Sequence, residues 1–306
     1  MDGASERPAC LVAGGGRREA EAAAHLVRLG LEVRGFGLPV PAGWREIAPA
    51  GTLEEGARGA VLLLLPVAGV GEQGELPVQP ALVDHAGPPR LSPAALEALS
   101  PGAVVAVGGA SAWLRRECGR LKLRLEEYRE RDDFATLNAV PTAEGAIRVA
   151  IGELPVTVQG CCALVLGFGR CGRALSRRLL ALGARTLVAA RRPEDRCRAW
   201  EEGHQPVPFD RLAQMAGQAD VIFNTVPAPV LGADILERTA PEVVILDIAS
   251  APGGTDFDAA RALGRRALLL PGIPGQAATR TSGRILAETA ARLLWPTRST
   301  PLFEGG

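Results

Sequence analysis

The chain has 306 residues, 47% of them apolar and 22% charged, with a formal net charge of +0. That length suits two domains of ordinary size, each with its own core. The charge balance excludes a disordered chain, a nucleic-acid-coating protein and a strongly acidic one.

No apolar run nears the roughly 18 residues of a membrane span, and the polar start leads into a short strand without a signal-peptide core, so no membrane segment and a cytoplasmic location are expected. In chain order, strands are predicted over 9–13, 32–36, 60–65, 104–107 and 122–125. Helices are predicted up to Gly30 and over 93–99 and 112–119. Such βαβ alternation implies a parallel sheet. The first turn, Gly14-Gly15-Gly16-Arg17-Arg18-Glu19, carries Glu19 where a dinucleotide fingerprint needs its third glycine, so no nucleotide is expected there. The Pro- and Gly-rich stretch 66–93 reads as a loop: a lid, a partner surface or plain disorder.

Beyond Glu130-Arg131-Asp132-Asp133 comes Asn138-Ala139-Val140-Pro141-Thr142-Ala143-Glu144-Gly145, then a helix-like stretch to Ile151. The domain junction is placed here, giving a first domain over 1–135 and a second over 136–281, with a closing helix (core 282–294, segment 282–300) suited to rejoin the first. Second-half strands are predicted over 161–166, 186–190, 220–225, 243–248 and 267–270. The fold class is therefore α/β: two Rossmann-like domains, each a doubly wound, mostly parallel sheet.

The most informative turn follows the run Cys161-Cys162-Ala163-Leu164-Val165-Leu166 and reads Gly167-Phe168-Gly169-Arg170-Cys171-Gly172, opening a helix with Leu175, Leu179 and Leu182 at helical spacing. Between strand and helix, the first glycine serves a tight turn, the second admits a pyrophosphate and the third lets helix pack on strand. An NAD site usually places Asp or Glu about 20 residues later; here Arg191 and Arg192 stand instead, where a 2′-phosphate needs planar donors, so NADP is expected. Solvation of the strand end is the plainer role for both arginines.

Three later loops fall where ligands of open α/β sheets bind. Asn224-Thr225-Val226-Pro227 is expected to border the nicotinamide half of the cofactor. Residues 247–257 and 271–283 offer hydroxyls, tight turns and N–H groups suited to an anionic substrate. Six cysteines (10, 118, 161, 162, 171 and 197) show no CxxC and no paired spacing with His25, His85 and His204, so neither a metal site nor a histidine relay is expected.

The combination of ERDD at Glu130 to Asp133, the segment Asn138 to Gly145, GFGRCG, NTVP, DIASAPGGTDF and PGIPG resembles the A subunit of dipicolinate synthase from spore-forming bacteria. The resemblance spans nearly the whole chain, and least of all the stretch 66–93. It implies NADP-linked oxidation of a dihydrodipicolinate-type lysine-pathway intermediate to pyridine-2,6-dicarboxylate, with a flavoprotein-like B subunit, in the mother cell during sporulation. Association between copies of the chain is left open. For such a dianionic ring the candidate binding residues are Arg131, Thr142, Ser250, Gly253 and Gly254, with Ser111 less clear. The base is sought first at Asp132 or Glu144, then at Asp133 or Asp256. Arg131 and Asp132 could equally form an ion pair, Asp256 could cap the helix over 257–263, and Asp247 could hold a loop. Two other readings stay open: a subunit that presents NADP or substrate while its partner carries the redox step, and a dehydrogenase of shikimate or hydroxy-acid type.

Overall fold

The computed structural model describes residues 7–80 and 87–296; His85 and residues 297–300 of the closing segment lie outside them. The chain divides into two units, one reaching Leu137 and resuming at Ala278, the other Asn138–Ala277.

In the first unit, strands β1 (Ala9–Ala13), β2 (Glu32–Phe36), β3 (Ile47–Pro49), β4 (Leu62–Leu64), β5 (Val104–Val107) and β6 (Arg124–Glu127) form one parallel sheet in the order β3-β2-β1-β4-β5-β6. Successive residues serve opposite faces. Cys10 and Val12 join one apolar cluster, Leu11 and Ala13 the other, which is why β1 is apolar throughout rather than alternating. Helix α1 (Arg17–Arg28) lies against helix α12 (Thr279–Leu294), and Gly283 makes the approach possible: a Cβ there would stand 2.5 Å from Glu21 Cβ and 2.8 Å from the Arg18 carbonyl oxygen. Edge strand β6 starts two residues later than the sequence suggests, because Lys122 at φ 54° still caps helix α4 (Ala112–Leu121). Strand β3 escapes the sequence reading: it is three residues long and ends in a proline that only an edge tolerates.

The described parts of the stretch 66–93 are packed, not a flap. Val70, Leu76 and Leu91 enter the core, Gly15 pairs with Val78, and Glu75 pairs with Arg90.

In the second unit, β7 (Cys162–Leu166), β8 (Arg185–Ala189), β9 (Gln205–Val207), β10 (Val221–Asn224), β11 (Val244–Asp247) and β12 (Arg266–Leu269) are parallel in the order β12-β11-β10-β7-β8-β9. The register aligns Leu269, Asp247, Asn224, Leu166 and Ala189 in one row at the carboxyl edge. Strand order reverses between β7 and β10, the place where such sheets open a ligand crevice.

A single helix, α5 (Asp132–Glu153), runs through the segment read as a junction, with Pro141 inside it. The ring cannot donate to the carbonyl four residues back, but the Thr142 hydroxyl donates to the Asn138 carbonyl at 2.7 Å in the same turn. Ala143, Ala146, Ile147 and Ala150 of α5 cover the sheet face bearing Val165, Phe223 and Leu246.

Candidate dinucleotide site

Strand β7 must turn into helix α6 (Arg170–Ala181) within three residues, and each glycine of the turn meets a separate demand. Gly167 sits at φ +92°, in the left-handed region, and a Cβ there would lie 2.6 Å from Thr225 Oγ1 and 3.0 Å from Val226 Cγ2. Gly172 lies so close to the Gly167 carbonyl that any Cβ would overlap it. At Gly169, the N-cap of α6, a Cβ would meet nothing within 4 Å. The start of this helix has neither a side-chain cap hydrogen bond nor an acidic residue in its first turn. A pyrophosphate fits that cradle.

The corresponding turn of the first unit is filled by the chain itself. Glu19 Oε2 accepts from the Gly16 N–H at 2.8 Å, and the Gly15 N–H donates to the Pro77 carbonyl. A carboxylate already satisfies the helix start where a phosphate would go.

Phe168 is held beneath the turn by Arg173, whose guanidinium carbon is 5.7 Å from the ring centroid, and by the buried His204, edge-on at 6.0 Å. Burial pushes the His204 imidazole below its usual pKa and the Cys171 thiol above its own, so both are neutral at pH 7.

Past the end of β8, Arg191 and Arg192 are both exposed but unequal. Arg192 forks onto Asp195 at 2.8 and 3.0 Å, at the start of helix α7 (Pro193–Glu201), and that guanidinium holds the Asp195 carboxyl below the usual range. Arg196 donates to the carbonyls of Ala190 (2.9 Å) and Arg191 (2.7 Å), fixing the backbone at the strand end. The Arg191 side chain has no hydrogen bond or ion pair among the described residues. The pair read as two free guanidiniums thus holds one.

The ends of β10 and β11 are tied by a buried carboxylate. Asp247, 0% exposed, accepts from Asn224 Nδ2 (2.9 Å), the Gly254 N–H (2.9 Å) and Thr255 Oγ1 (2.7 Å) on one oxygen, and from the Ala249 N–H (3.1 Å) on the other. Asn224 also bonds Val226 through both its amide atoms, at 3.0 and 3.1 Å. These bonds engage three of the candidate groups. The Asn224 side chain is spent on its own loop, the Gly254 N–H is spent on Asp247, and Gly253, at φ +84° with its would-be Cβ 3.3 Å from Asp247 Oδ2, shapes the turn. Thr225 keeps its place beside Gly167, its hydroxyl donating to the Leu166 carbonyl at 2.7 Å, and Pro227 follows exposed.

The substrate candidates fall in both units and most are engaged. Arg131 pairs with Asp133 at 3.2 Å rather than with Asp132, which opens the first turn of α5. Burial works against ionisation of Asp133, yet Arg131, the Phe134 N–H and Arg292 together hold its carboxyl below the usual range. Glu144 is exposed and pairs with Arg178 at 3.2 Å. Thr142 is buried with its hydroxyl bonded inside the helix. Ser111 caps α4, accepting from the Leu114 N–H at 3.3 Å, and Asp256 caps helix α10 (Phe257–Ala262), accepting from the Ala259 N–H at 2.9 Å. Ser250 is exposed, its carbonyl accepting from the Gly253 N–H at 2.9 Å.

An open glycine cradle at the switch point of a parallel sheet defines a nicotinamide-dinucleotide domain of dehydrogenase type. In agreement, residues 144–263 match the D-isomer specific 2-hydroxyacid dehydrogenase NAD binding domain, and residues 9–129 match the N-terminal domain of the dipicolinate synthase A subunit. The solved structure of the dipicolinate synthase A subunit from Bacillus halodurans superposes with a TM-score of 0.84 at 32% identity, covering 94% of this chain and 98% of that one. The solved structure of its Bacillus subtilis counterpart superposes with a TM-score of 0.81 at 31% identity, covering 94% and 95%. In sequence, the Bacillus subtilis protein is 40% identical over 191 residues, a stretch that spans 62% of this chain and 64% of that protein. The chain belongs to the family of dipicolinate synthase A subunits. A transhydrogenase of Sinorhizobium meliloti, at 15% identity and a TM-score of 0.65, shares the fold alone.

Proposed function

We propose that this chain carries out the NADP-linked oxidation of a dihydrodipicolinate-type intermediate of the lysine pathway to pyridine-2,6-dicarboxylate, acting with a second subunit in the sporulating mother cell. The observation that carries the reading is the open cradle at Gly169 in a chain of this family. A bound nicotinamide supplies the hydride acceptor. The protein's part is to bind and orient. Gly167, Gly169 and Gly172 admit the pyrophosphate, Phe168 supports the turn, and Asp247 with Asn224 fixes the loop after β10. Aromatisation of the ring drives the reaction, so placement outweighs acid–base help. Arg191 is assigned the 2′-phosphate, and Arg192 the positioning of Asp195 at the start of α7.

One observation favours the second reading, in which the partner subunit carries the redox step: Asp133, Glu144 and Asp256, all sought as the base, are each already bonded within the chain. The purified chain is to be incubated with the pathway intermediate and NADP, with and without the partner, while NADPH and pyridine absorbance are followed. Turnover by the chain alone supports the first reading; no turnover in either case sinks both. Arg191→Ala is expected to weaken NADP binding by about tenfold or more, with NAD binding changed less than twofold, while Arg192→Ala costs less. An NAD preference that survives Arg191→Ala would defeat the NADP assignment.

A further inference from the structure

The first sheet also reverses strand order, between β1 and β4, so its carboxyl edge has a crevice position of its own. Glu19 fills the helix start there and closes it to a phosphate, but the same carboxylate brings a guanidinium to that edge. Its Oε2 accepts from the Gly16 N–H at 2.8 Å and its Oε1 from the N–H of Val67, in the loop after β4, at 3.4 Å. Arg18 Nε lies 3.5 Å from Oε1, and the Arg18 side chain is only 13% exposed. That contact is its one ion pair among the described residues, and its guanidinium makes no hydrogen bond with them. Nε is enclosed, whereas the two terminal nitrogens are not, so an unbonded fork reaches accessible space.

A second such fork follows β6. Arg129 Nη2 lies 2.9 Å from where a Cβ on Gly109 would sit, so glycine at the end of β5 leaves room for it. Its carboxylate contact is Glu130 at 3.7 Å, a half-exposed pair worth little in water. The loops carrying these contacts touch: a Cβ on Gly108 would overlap the Val67 carbonyl, and one on Gly69 would stand 2.6 Å from the Gly109 carbonyl oxygen. Both arginines also act on the buried Tyr128, whose hydroxyl donates to the Leu65 carbonyl at 2.9 Å. Burial, then Glu19, holds that phenol well above its usual pKa, and the Arg18 and Arg129 charges oppose the shift, which puts both within electrostatic reach of one group.

We propose that Arg18 and Arg129 form a carboxylate subsite of the first unit, holding the dianionic ring by its carboxylate groups. Planar forks in partly enclosed surroundings suit carboxylates better than a point charge would. Arg131, the arginine that the sequence suggested for this task, is spent on Asp133. The inference rests on the dicarboxylate reading of the substrate and supplies residues for it.

The test is calorimetric binding of pyridine-2,6-dicarboxylate, alone and with saturating NADP, and of NADP by itself, to the full chain. Arg129→Gln is expected to weaken dicarboxylate binding about tenfold or more and to leave NADP affinity within twofold. Arg18→Gln should do the same, with Arg18→Lys, which keeps the charge without the fork, in between. Arg120→Gln removes a guanidinium already bonded to Glu97 and Glu117 in the same unit and should leave both affinities within twofold. Arg129 is half-exposed, so its variant tests the subsite even where Arg18→Gln does not fold. Unchanged dicarboxylate affinity in Arg129→Gln, or an equal loss in Arg120→Gln, would overturn the subsite and leave the substrate reading standing. A wild-type chain that bound no dicarboxylate under either condition would overturn both.

Discussion

At the scale of single residues, burial decides which groups carry charge. His25 on α1 lies 3.6 Å from Glu288, which would ordinarily favour the imidazolium, yet Arg284 already holds the same carboxylate oxygen at 2.7 Å. Burial first, then repulsion from Arg28 and Arg284, pushes the His25 pKa down to about 4. Unfolding restores it to about 6.5, so between those values the unfolded chain binds a proton that the native one does not. Stability is full above pH 6.5 and falls as pH drops toward 4, by roughly 3 kcal/mol for this group in all. Denaturant unfolding at pH 7 and pH 5 should show the loss, and His25→Gln should remove most of it. If the variant loses as much stability between the two pH values as wild type, the assignment to His25 is wrong. The thiols of Cys10, Cys118, Cys161 and Cys162 follow the same rule, raised by burial and acting as small apolar residues in the core.

At the scale of elements, the glycine turn separates two kinds of damage. Gly169→Ala places a methyl in open space at an ordinary backbone angle, so the melting temperature should hardly move while dinucleotide affinity falls by about tenfold or more. Gly172→Ala drives a methyl into the Gly167 carbonyl and should lower both. Equal losses of stability in the two variants would refute this division. Asp247→Ala orphans four donors that tie β10 and β11 to the following loop, and is expected to cost at least about 3 kcal/mol in urea unfolding. The strands around the fingerprint were legible because a parallel strand buried on both faces is a continuous apolar run ended by glycine. The continuity of α5 was hidden because Pro141, inside the helix, lacks the N–H that would bond the carbonyl four residues back. Site roles were harder to read than strands. Nothing in the sequence says that Arg192 folds back on Asp195, or that Asn224 is consumed by its own loop.

At the scale of the whole molecule, the cationic charge is almost wholly guanidinium: Lys+Arg number 34, and Lys122 is the single lysine. Guanidinium stays protonated through any working pH and binds carboxylates and phosphates through a planar fork, whereas an ammonium is a point charge. The fixed pairs of both units follow this pattern, from Arg124 with Glu126 and Arg292 with Asp133 in the first to Arg173 and Arg177 on Glu202 and Arg266 on Glu153 in the second. Lys122 itself is exposed at the left-handed cap of α4, in the unit that lacks the open cradle. Anion recognition by this chain should therefore be indifferent to amine chemistry and sensitive to arginine chemistry. Acetylation of the accessible amines is expected to leave NADP affinity within twofold of the untreated protein. Phenylglyoxal should abolish binding, and NADP present during the treatment should slow the loss and shield Arg191 from modification, as peptide mapping would show. Loss of NADP affinity on acetylation, or full modification of Arg191 in the presence of saturating NADP, would contradict a site in which that guanidinium meets the 2′-phosphate.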